Sequence, residues 1–389
     1  MIDRHISSAI RAQVGKYSVL TITGPRQSGK TTLIRQLFGD LPFFTLENPD
    51  TRRAFSDDPR SFFQQYGHRM VLDEVQRLPQ LLSYVQGIVD EDREALFILS
   101  GSHNMLMMES VTQSLAGRTA LFYLHPCSYA ELANILPPNV DPFEAAWRGG
   151  YPRIYDRGLE VTRFYLDYLE TYVQRDVRQV KNITDLEAFT RLITLLAGYV
   201  GQTLDKNALA TAVGIARGTL NTWLSVLQTS FITFTLQPYY RNFKKRLVKS
   251  PKLYFRDTGL ACALLGIRSA RELFNYYQRG AIFENFVLNE INKAFYNAGE
   301  RPPAYFWRDD KQHEIDVLLH QGNSVRPVEI KAGMTYRRDF FKQLDWFAGI
   351  ADLAIADPTV IYGGDEDHQF EAGQLLSWRR AGELARRAD

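Results

Sequence analysis

The sequence predicts an α/β chain of several domains that begins with a parallel sheet carrying a phosphate-binding loop. Three observations predict it. An apolar strand pattern over residues 18–23 runs directly into Gly24-Pro25-Arg26-Gln27-Ser28-Gly29-Lys30-Thr31, which fits G-x-x-x-x-G-K-S/T at every fixed position. Two further apolar segments, residues 69–73 and 95–100, each end in polar residues, as buried parallel strands do. Beyond about residue 136 the periodicity changes twice, and one core does not account for 389 residues.

The first element justifies a nucleotide site. A glycine-bent loop at a helix N-terminus offers unpaired backbone N–H groups and the positive end of the helix dipole to phosphates. Gly24, Pro25, Arg26, Gln27, Ser28, Gly29, Lys30, Thr31 and Thr32 form this stretch. In this pattern Lys30 reaches the β- and γ-phosphates and Thr31 holds Mg²⁺. The second strand closes with Asp73-Glu74. Asp73 is expected to orient the Mg²⁺ shell with Thr31, and Glu74 to polarise the attacking water, the division of labour that NTP hydrolysis requires. The third strand leaves the core at Gly101-Ser102-His103-Asn104. Ligands sit at the carboxyl ends of such strands, so Ser102, or Asn104 after it, is the candidate that senses the γ-phosphate.

The middle of the chain reads as helical. Pro137-Pro138 punctuates, residues 143–148 read as a short helix, and Gly149-Gly150-Tyr151-Pro152 as a turn. Residues 161–177 place Phe164, Tyr165, Tyr168, Leu169, Tyr172 and Val173 on one helix face. Thr184-Asp185-Leu186-Glu187 opens a helix towards Val200 as a capping box. Asp205 then caps residues 206–212, Val213-Gly214-Ile215 turns, and residues 216–228 bury Leu220, Trp223, Leu224 and Leu227. Helix, glycine turn, helix is a helix-turn-helix pattern, and strand-like residues 231–236 and 252–255 after it flank a basic run in the manner of a wing. Arg217, Asn221 and Thr222 then face outward, where DNA contacts would fall, unless the module serves packing alone.

Residues 237–256 hold seven basic residues (Arg241, Lys244, Lys245, Arg246, Lys249, Lys252, Arg256) and no acidic one, interleaved with Tyr239, Tyr240, Phe243, Tyr254 and Phe255. Such a mixture suits phosphate contacts and stacking, and a solvated charged face is the competing reading. Lys244, Lys245, Arg246 and Lys249 join Arg217 and Asn221 as the DNA-binding candidates.

The last third reads as helix 281–295 with Glu284, a strand at 305–308, Glu314-Ile315-Asp316-Val317, a turn at Gln321-Gly322-Asn323, and Val328-Glu329-Ile330-Lys331. Alternation puts Glu329 and Lys331 on one face. Asp316 and Glu329 on neighbouring strands make a candidate pair for a hard cation, with Lys331 stabilising charge and Glu284 in support, or else Glu329 and Lys331 form a structural ion pair.

Bulk properties narrow the classes. The chain is 45% hydrophobic and 23% charged, with net charge +2 and mean hydropathy −0.26, and no apolar run of about 18 residues is present to span a bilayer. The first residues lack the apolar stretch of a signal peptide, and the two cysteines, Cys127 and Cys262, make neither a disulfide framework nor a cysteine metal site. A cytoplasmic protein without membrane association is expected.

These residues resemble the prokaryotic AAA+-type ATPases that carry a C-terminal region called DUF4143. The resemblance runs end to end, through residues 24–32, Leu72-Asp73-Glu74, Leu99-Ser100-Gly101-Ser102, Leu115-Ala116-Gly117-Arg118, Gly149-Gly150-Tyr151-Pro152, Arg175-Asp176 and Tyr254-Phe255-Arg256-Asp257-Thr258-Gly259-Leu260. It implies a P-loop ASCE/AAA-like domain over residues 1–136, a helical lid over 137–183, a winged helix-turn-helix over 184–268 and a PD-(D/E)xK nuclease-like domain over 269–389. The Pro-Asp dipeptide that names the nuclease fold is absent, and Glu314-Ile315 precedes Asp316 instead. The resemblance also implies ATP and Mg²⁺ as cofactors and a homo-oligomer, a hexameric ring among its forms, in which Arg118 reaches a neighbour's nucleotide. Two functions compete: an ATPase acting on DNA in repair, recombination or defence, and an ATP-driven switch that docks a protein partner with an inert nuclease-like domain.

Overall fold

The structure is a computed structural model that describes residues 2–102, 114–172, 183, 185–239, 250–351 and 353–385. Asn104, Arg175, Asp176 and the basic residues Arg241, Lys244, Lys245, Arg246 and Lys249 lie outside the described residues. The chain packs as two compact units. One comprises Met1–Cys127, Thr229–Phe231 and Tyr296–Glu300, and the other Ser128–Gln228, Ile232–Phe295 and Arg301–Asp389.

The first unit is built on five parallel strands, β1 (Val19–Thr23), β2 (Phe43–Thr45), β3 (Arg69–Asp73), β4 (Leu96–Gly101) and β5 (Thr119–Tyr123), in the spatial order β2-β3-β4-β1-β5. Strand side chains alternate between faces, and both faces of this sheet are apolar. On one face Val19, Met70, Leu72, Phe97 and Leu99 pack under α3 (Pro49–Asp57), α4 (Pro59–Tyr66) and α5 (Leu81–Glu91) through Phe55, Phe62, Phe63, Leu81, Leu82 and Val85. On the other Leu20, Ile22, Val71, Leu96 and Ile98 meet Ile6 and Ile10 of α1 (Ile6–Arg11) and Leu33 and Ile34 of α2 (Lys30–Leu37). Each such buried side chain contributes about 1.5–3 kcal/mol, which holds the loops at the strand ends in register. Asn48 and Asp58 start α3 and α4 by accepting from the amides of Asp50 and Ser61 at 2.8 and 3.0 Å, each ahead of a proline at the first helical position.

In the second unit α6 (Pro142–Arg148) ends at Gly149, and α7 (Val161–Tyr172) buries Phe164, Tyr165, Tyr168 and Tyr172, as its spacing predicts. The expected continuation of α7 to residue 177 lies outside the described residues. The turn between these helices is locked by one carboxylate. Asp257 accepts from Gly150 N at 2.8 Å and from the Tyr165 hydroxyl at 2.7 Å. It also caps a later helix, α11 (Thr258–Leu264), through Gly259 N at 2.9 Å. The segments 149–152 and 254–260 are thus two halves of one packed knot.

Next, α8 (Leu186–Ala197) is capped by Asp185, whose side chain accepts from Ala188 N at 2.8 Å. This corrects the expected box: the cap is Asp185 rather than Thr184, which lies outside the described residues, and the helix stops at Ala197, short of Val200. α9 (Lys206–Val213) turns at Gly214, in the left-handed conformation at φ 82°, into α10 (Arg217–Thr229), which buries Leu220, Trp223, Leu224 and Leu227. The antiparallel pair β6 (Thr233–Leu236) and β7 (Lys252–Phe255) follows.

The long α12 (Arg279–Asn297) precedes a mixed sheet. Its strands are β8 (Ala304–Arg308), β9 (Glu314–Gln321), β10 (Ser324–Lys331), β11 (Ala354–Ile355), β12 (Thr359–Tyr362), β13 (His368–Phe370) and β14 (Gly373–Ser377). They lie in the order β13-β14-β12-β10-β9-β8, with β11 against β10. β8, β9 and β10 form an antiparallel meander, whereas β10, β12 and β14 run parallel. Among the described residues no helix is long and apolar enough to cross a membrane.

Candidate functional site

The strand order brings the first candidate site together. Because β4 lies between β1 and β3, the glycine loop after β1, Asp73-Glu74 after β3 and Ser102 after β4 leave the sheet at the same edge. The loop needs its glycines for two different reasons. A Cβ on Gly24 would lie 2.1 Å from the Leu124 carbonyl oxygen, so no side chain fits. Gly29 caps α2 in the left-handed conformation at φ 94°. Behind the loop the buried guanidinium of Arg4 donates to Ser28 O and His125 O, both at 2.7 Å.

Lys30 is buried, and its Nζ donates to the carbonyls of Gly24 at 2.9 Å and Pro25 at 2.8 Å, curled over the loop it follows. Thr31 and Thr32 are exposed at the mouth, as is Gln27, while Arg26 is half-buried. The Thr31 hydroxyl donates to Asp73 Oδ2 at 3.4 Å, and Ser100 donates to Asp73 Oδ1. Burial pushes the Asp73 carboxyl above its ordinary range. The Ser100 hydrogen bond opposes this, the charge of Glu74 adds to it, and Lys30 and Thr31 pull back. Glu74 sits in the left-handed region at φ 59°, ψ 44°, and its Oε2 accepts from Gln76 Nε2 at 2.5 Å and from the buried Ser102 hydroxyl at 3.3 Å. Ser100, Gln76 and Arg4 escape the sequence reading: their contacts depend on a strand neighbour, a turn and a distant segment that no motif spells out.

Arg118 is not part of this edge. It immediately precedes β5, at the amino ends of the strands, and forms a two-point ion pair with Asp90 at 2.6 and 2.9 Å.

A second cluster lies in the other unit. Glu314 and Asp316 on β9 face Glu329 and Lys331 on β10, just beyond the Val328↔Val317 pair, and Asp316 Oδ2 takes the Ile330 amide at 2.8 Å. Lys331 Nζ pairs with Glu329 Oε2 at 2.5 Å. Burial, with the charge of Asp316 adding and Lys331 opposing, pushes Glu329 up to about 8. On α12, Glu284 accepts from Tyr254 at 2.5 Å and from Lys252 Nζ at 3.2 Å, and burial pushes it up to about 7 against the pull of Lys252. Lys252 also bonds Glu314, which Arg308 pairs from the other side. Burial works against the Lys252 charge, but Glu284, Glu314 and Asp316 outweigh it and hold the ammonium above its ordinary range.

This corrects part of the basic-run reading. Lys252 is 1% exposed and serves the carboxylates, and Tyr239, Tyr254 and Phe255 are buried, so none of them is available for phosphate contacts or base stacking. Arg217, Asn221 and Thr222 are exposed as expected, with Asn221 accepting from Lys206 at 3.0 Å. Among the described residues no group of three or more His, Cys, Asp or Glu side chains is arranged to hold a metal ion.

Residues 16–133 match the family described as AAA domain, residues 139–271 a domain of unknown function (DUF8612), and residues 279–380 a domain of unknown function (DUF4143). The uncharacterized protein Rv2008c of Mycobacterium tuberculosis is 30% identical over 379 residues, covering 95% of this chain and 82% of that protein. The uncharacterized protein MJ1637 of Methanocaldococcus jannaschii is 24% identical over 314 residues, 68% of this chain and 64% of that one. Among solved structures, the Walker-type ATPase PABY2304 of Pyrococcus abyssi is similar with a TM-score of 0.44 and 15% identity, over 68% of this chain and 96% of that chain. By its identity along nearly its whole length, the chain belongs to the family of the mycobacterial protein Rv2008c and carries within it an AAA domain followed by a DUF4143 region.

Proposed function

We propose that the chain is a Mg²⁺-dependent ATPase. The observation that carries this is the convergence of Lys30, Thr31, Asp73, Glu74 and Ser102 on one sheet edge, with the Thr31 hydroxyl 3.4 Å from Asp73. Thr31 and Asp73 fit Mg²⁺: both are hard oxygen donors, and the Asp73 carboxyl is buried within hydrogen-bond reach of the Thr31 hydroxyl. Two protein oxygens suffice, because Mg²⁺ keeps waters and phosphate oxygens in its shell. When bound, the ion neutralises charge on the β- and γ-phosphates. Lys30 leaves the Gly24 and Pro25 carbonyls for the phosphates, and Ser102 senses the γ-phosphate. Glu74 accepts a proton from water as its oxygen bonds to the γ-phosphorus and the bond to the β,γ-bridging oxygen breaks, giving ADP and phosphate. Lys30→Ala should abolish ATP binding in calorimetry, and Glu74→Gln should bind ATP without turning it over. Wild-type protein that binds no nucleotide at millimolar ATP would overturn the reading.

The domain limits at 136, 183 and 268 belong to this proposal, as does a homo-oligomer in which Arg118 serves a neighbour. Its place at the amino edge of the sheet supports action in trans over action on its own loop. A monomer by light scattering for Glu74→Gln with ATP would remove that role. DNA is the proposed substrate of the ATP-driven work, supported by the exposed Arg217 and Asn221 and the charge of the basic run. ATPase rates with and without single- and double-stranded DNA test it.

The competing reading, a switch that docks a protein, gains one observation. Lys252 and Lys331 already neutralise Glu284, Glu314 and Glu329, the carboxylates a nuclease-like centre would spend on metal. No cleavage of linear, nicked or branched DNA in Mn²⁺ would favour an inert domain, and cleavage lost in Asp316→Ala would favour a nuclease.

A further inference from the structure

The Glu74 carboxylate is not left to rotate. β3 ends at Asp73, Glu74 takes the left-handed backbone conformation, and the 3-10 turn Val75–Arg77 brings the Gln76 side chain back beside it. Few non-glycine residues adopt that conformation, and here it makes residues two apart into neighbours. Gln76 Nε2 donates to Glu74 Oε2 at 2.5 Å, and Ser102 Oγ donates to the same oxygen at 3.3 Å. Among the described residues no donor lies on Glu74 Oε1. The amide orientation of Gln76 follows from chemistry, because an ionised carboxylate has only acceptors and the opposite flip would set oxygen against oxygen. In this orientation the Gln76 Oε1 is buried without a hydrogen-bond partner among the described residues, although buried amide oxygens are seldom left so.

We propose that Gln76 is a positioning residue for hydrolysis. It spends Glu74 Oε2 on a fixed bond, fixes the plane of the carboxylate, and reserves Oε1 for the proton of the attacking water. Ser102 shares the task from just beyond β4, so a side chain that senses the γ-phosphate also holds the base. The inference rests on the reading of Glu74 as the general base. It adds that a base on a strained backbone needs an outside anchor, since a carboxylate free to rotate about its last torsion spends little of its time aligned with the water.

The experiment uses the full chain. Gln76→Met keeps the length of the side chain and removes the donor, and Gln76→Glu keeps the shape and puts a carboxylate against Glu74. Turnover is measured over a range of ATP concentrations, and ATP affinity separately by calorimetry. In both variants kcat should fall about 10- to 100-fold, the loss that a misplacement of roughly 1 Å brings, while KM and Kd stay within about two-fold. In a Glu74→Gln background, Gln76→Met should change the residual rate by less than about two-fold, because an anchor without its base has nothing to position. Ser102→Ala should lower kcat as well, and it serves as the second test if the Gln76 variants fail to fold by thermal melting. A wild-type kcat in both Gln76→Met and Ser102→Ala overturns the proposal. So does a loss carried by Kd, or a loss that persists in full without Glu74. Turnover that depends on Glu74 but not on Gln76 refutes the positioning role alone, whereas wild type with no Glu74-dependent turnover refutes the ATPase reading beneath it.

Discussion

Replacing Lys252 by Met tests whether the second cluster is held by the chain's own cation. Met nearly preserves the volume and removes the charge, leaving Glu284 and Glu314 without the ammonium that lies 3.2 Å from the first and bonds the second. Breaking a buried pair from one side costs about 3–5 kcal/mol, because the remaining charge stays desolvated. The pH dependence gives the prediction its sign. Glu284 already stands at about 7 rather than 4.5, which corresponds to about 3 kcal/mol. A carboxyl raised on folding stabilises the fold fully below about 4.5, and that contribution is lost as pH rises through its folded value. Without Lys252 the folded value climbs further, so the loss extends to higher pH. Urea unfolding of the whole chain, followed by tryptophan fluorescence, should show a transition whose midpoint drops in Lys252→Met. The drop should be small at pH 6 and largest near pH 9, and it should shrink when Glu284→Gln is added. The midpoint is the quantity to compare, since a chain of two units need not unfold in two states. An unchanged midpoint at pH 9, or a penalty larger at pH 6, would refute the assignment of Lys252 as counter-ion.

Gly24→Ala should abolish ATP binding by calorimetry while the sheet still folds, because the added methyl would lie 2.1 Å from Leu124 O and the loop must move away. Gly149→Ala should lower the melting temperature of the whole chain by a cost of about 1–3 kcal/mol or more, since its Cβ would meet the Tyr165 hydroxyl at 2.0 Å and Asp257 at 2.2 Å from a backbone at φ 66°. Replacing Lys244, Lys245 and Arg246 with Ala should weaken DNA binding and flatten its salt dependence by about one unit of slope for each phosphate that is no longer neutralised. Unchanged affinity at low salt would return those residues to a solvated surface.

The sequence was most informative where local geometry and chemistry coincide. The residues of the loop, the Asp73-Glu74 strand end and the glycine turn before α10 each announce their backbone through fixed spacings, and alternation alone puts Glu329 beside Lys331. Contacts that depend on the order of strands or on distant segments were not legible. Ser100 reaches Asp73 only because β4 lies next to β3, and Arg4 reaches the loop from 24 residues before Ser28. Lys252 misled for a physical reason: a lysine in a basic run looks solvated unless its carboxylates, 32 and 62 residues away, are known to converge on it. The short strands β11 to β14 carry too few residues to show a period, so the width of the second sheet was equally hidden.

The position of β4 fixes a distance as well as an order. Two inter-strand spacings separate β1 from β3, about 10 Å in all, and that interval is bridged by hydrogen-bonded backbone rather than by mobile side chains. On the ATPase reading, the loop that takes the phosphates follows β1 and Glu74 follows β3, with Ser102 at the end of the strand between them and the Thr31 hydroxyl reaching Asp73 across the interval. The backbone of the sheet, rather than any side chain, therefore sets how far apart the loop and the Asp73-Glu74 strand end begin.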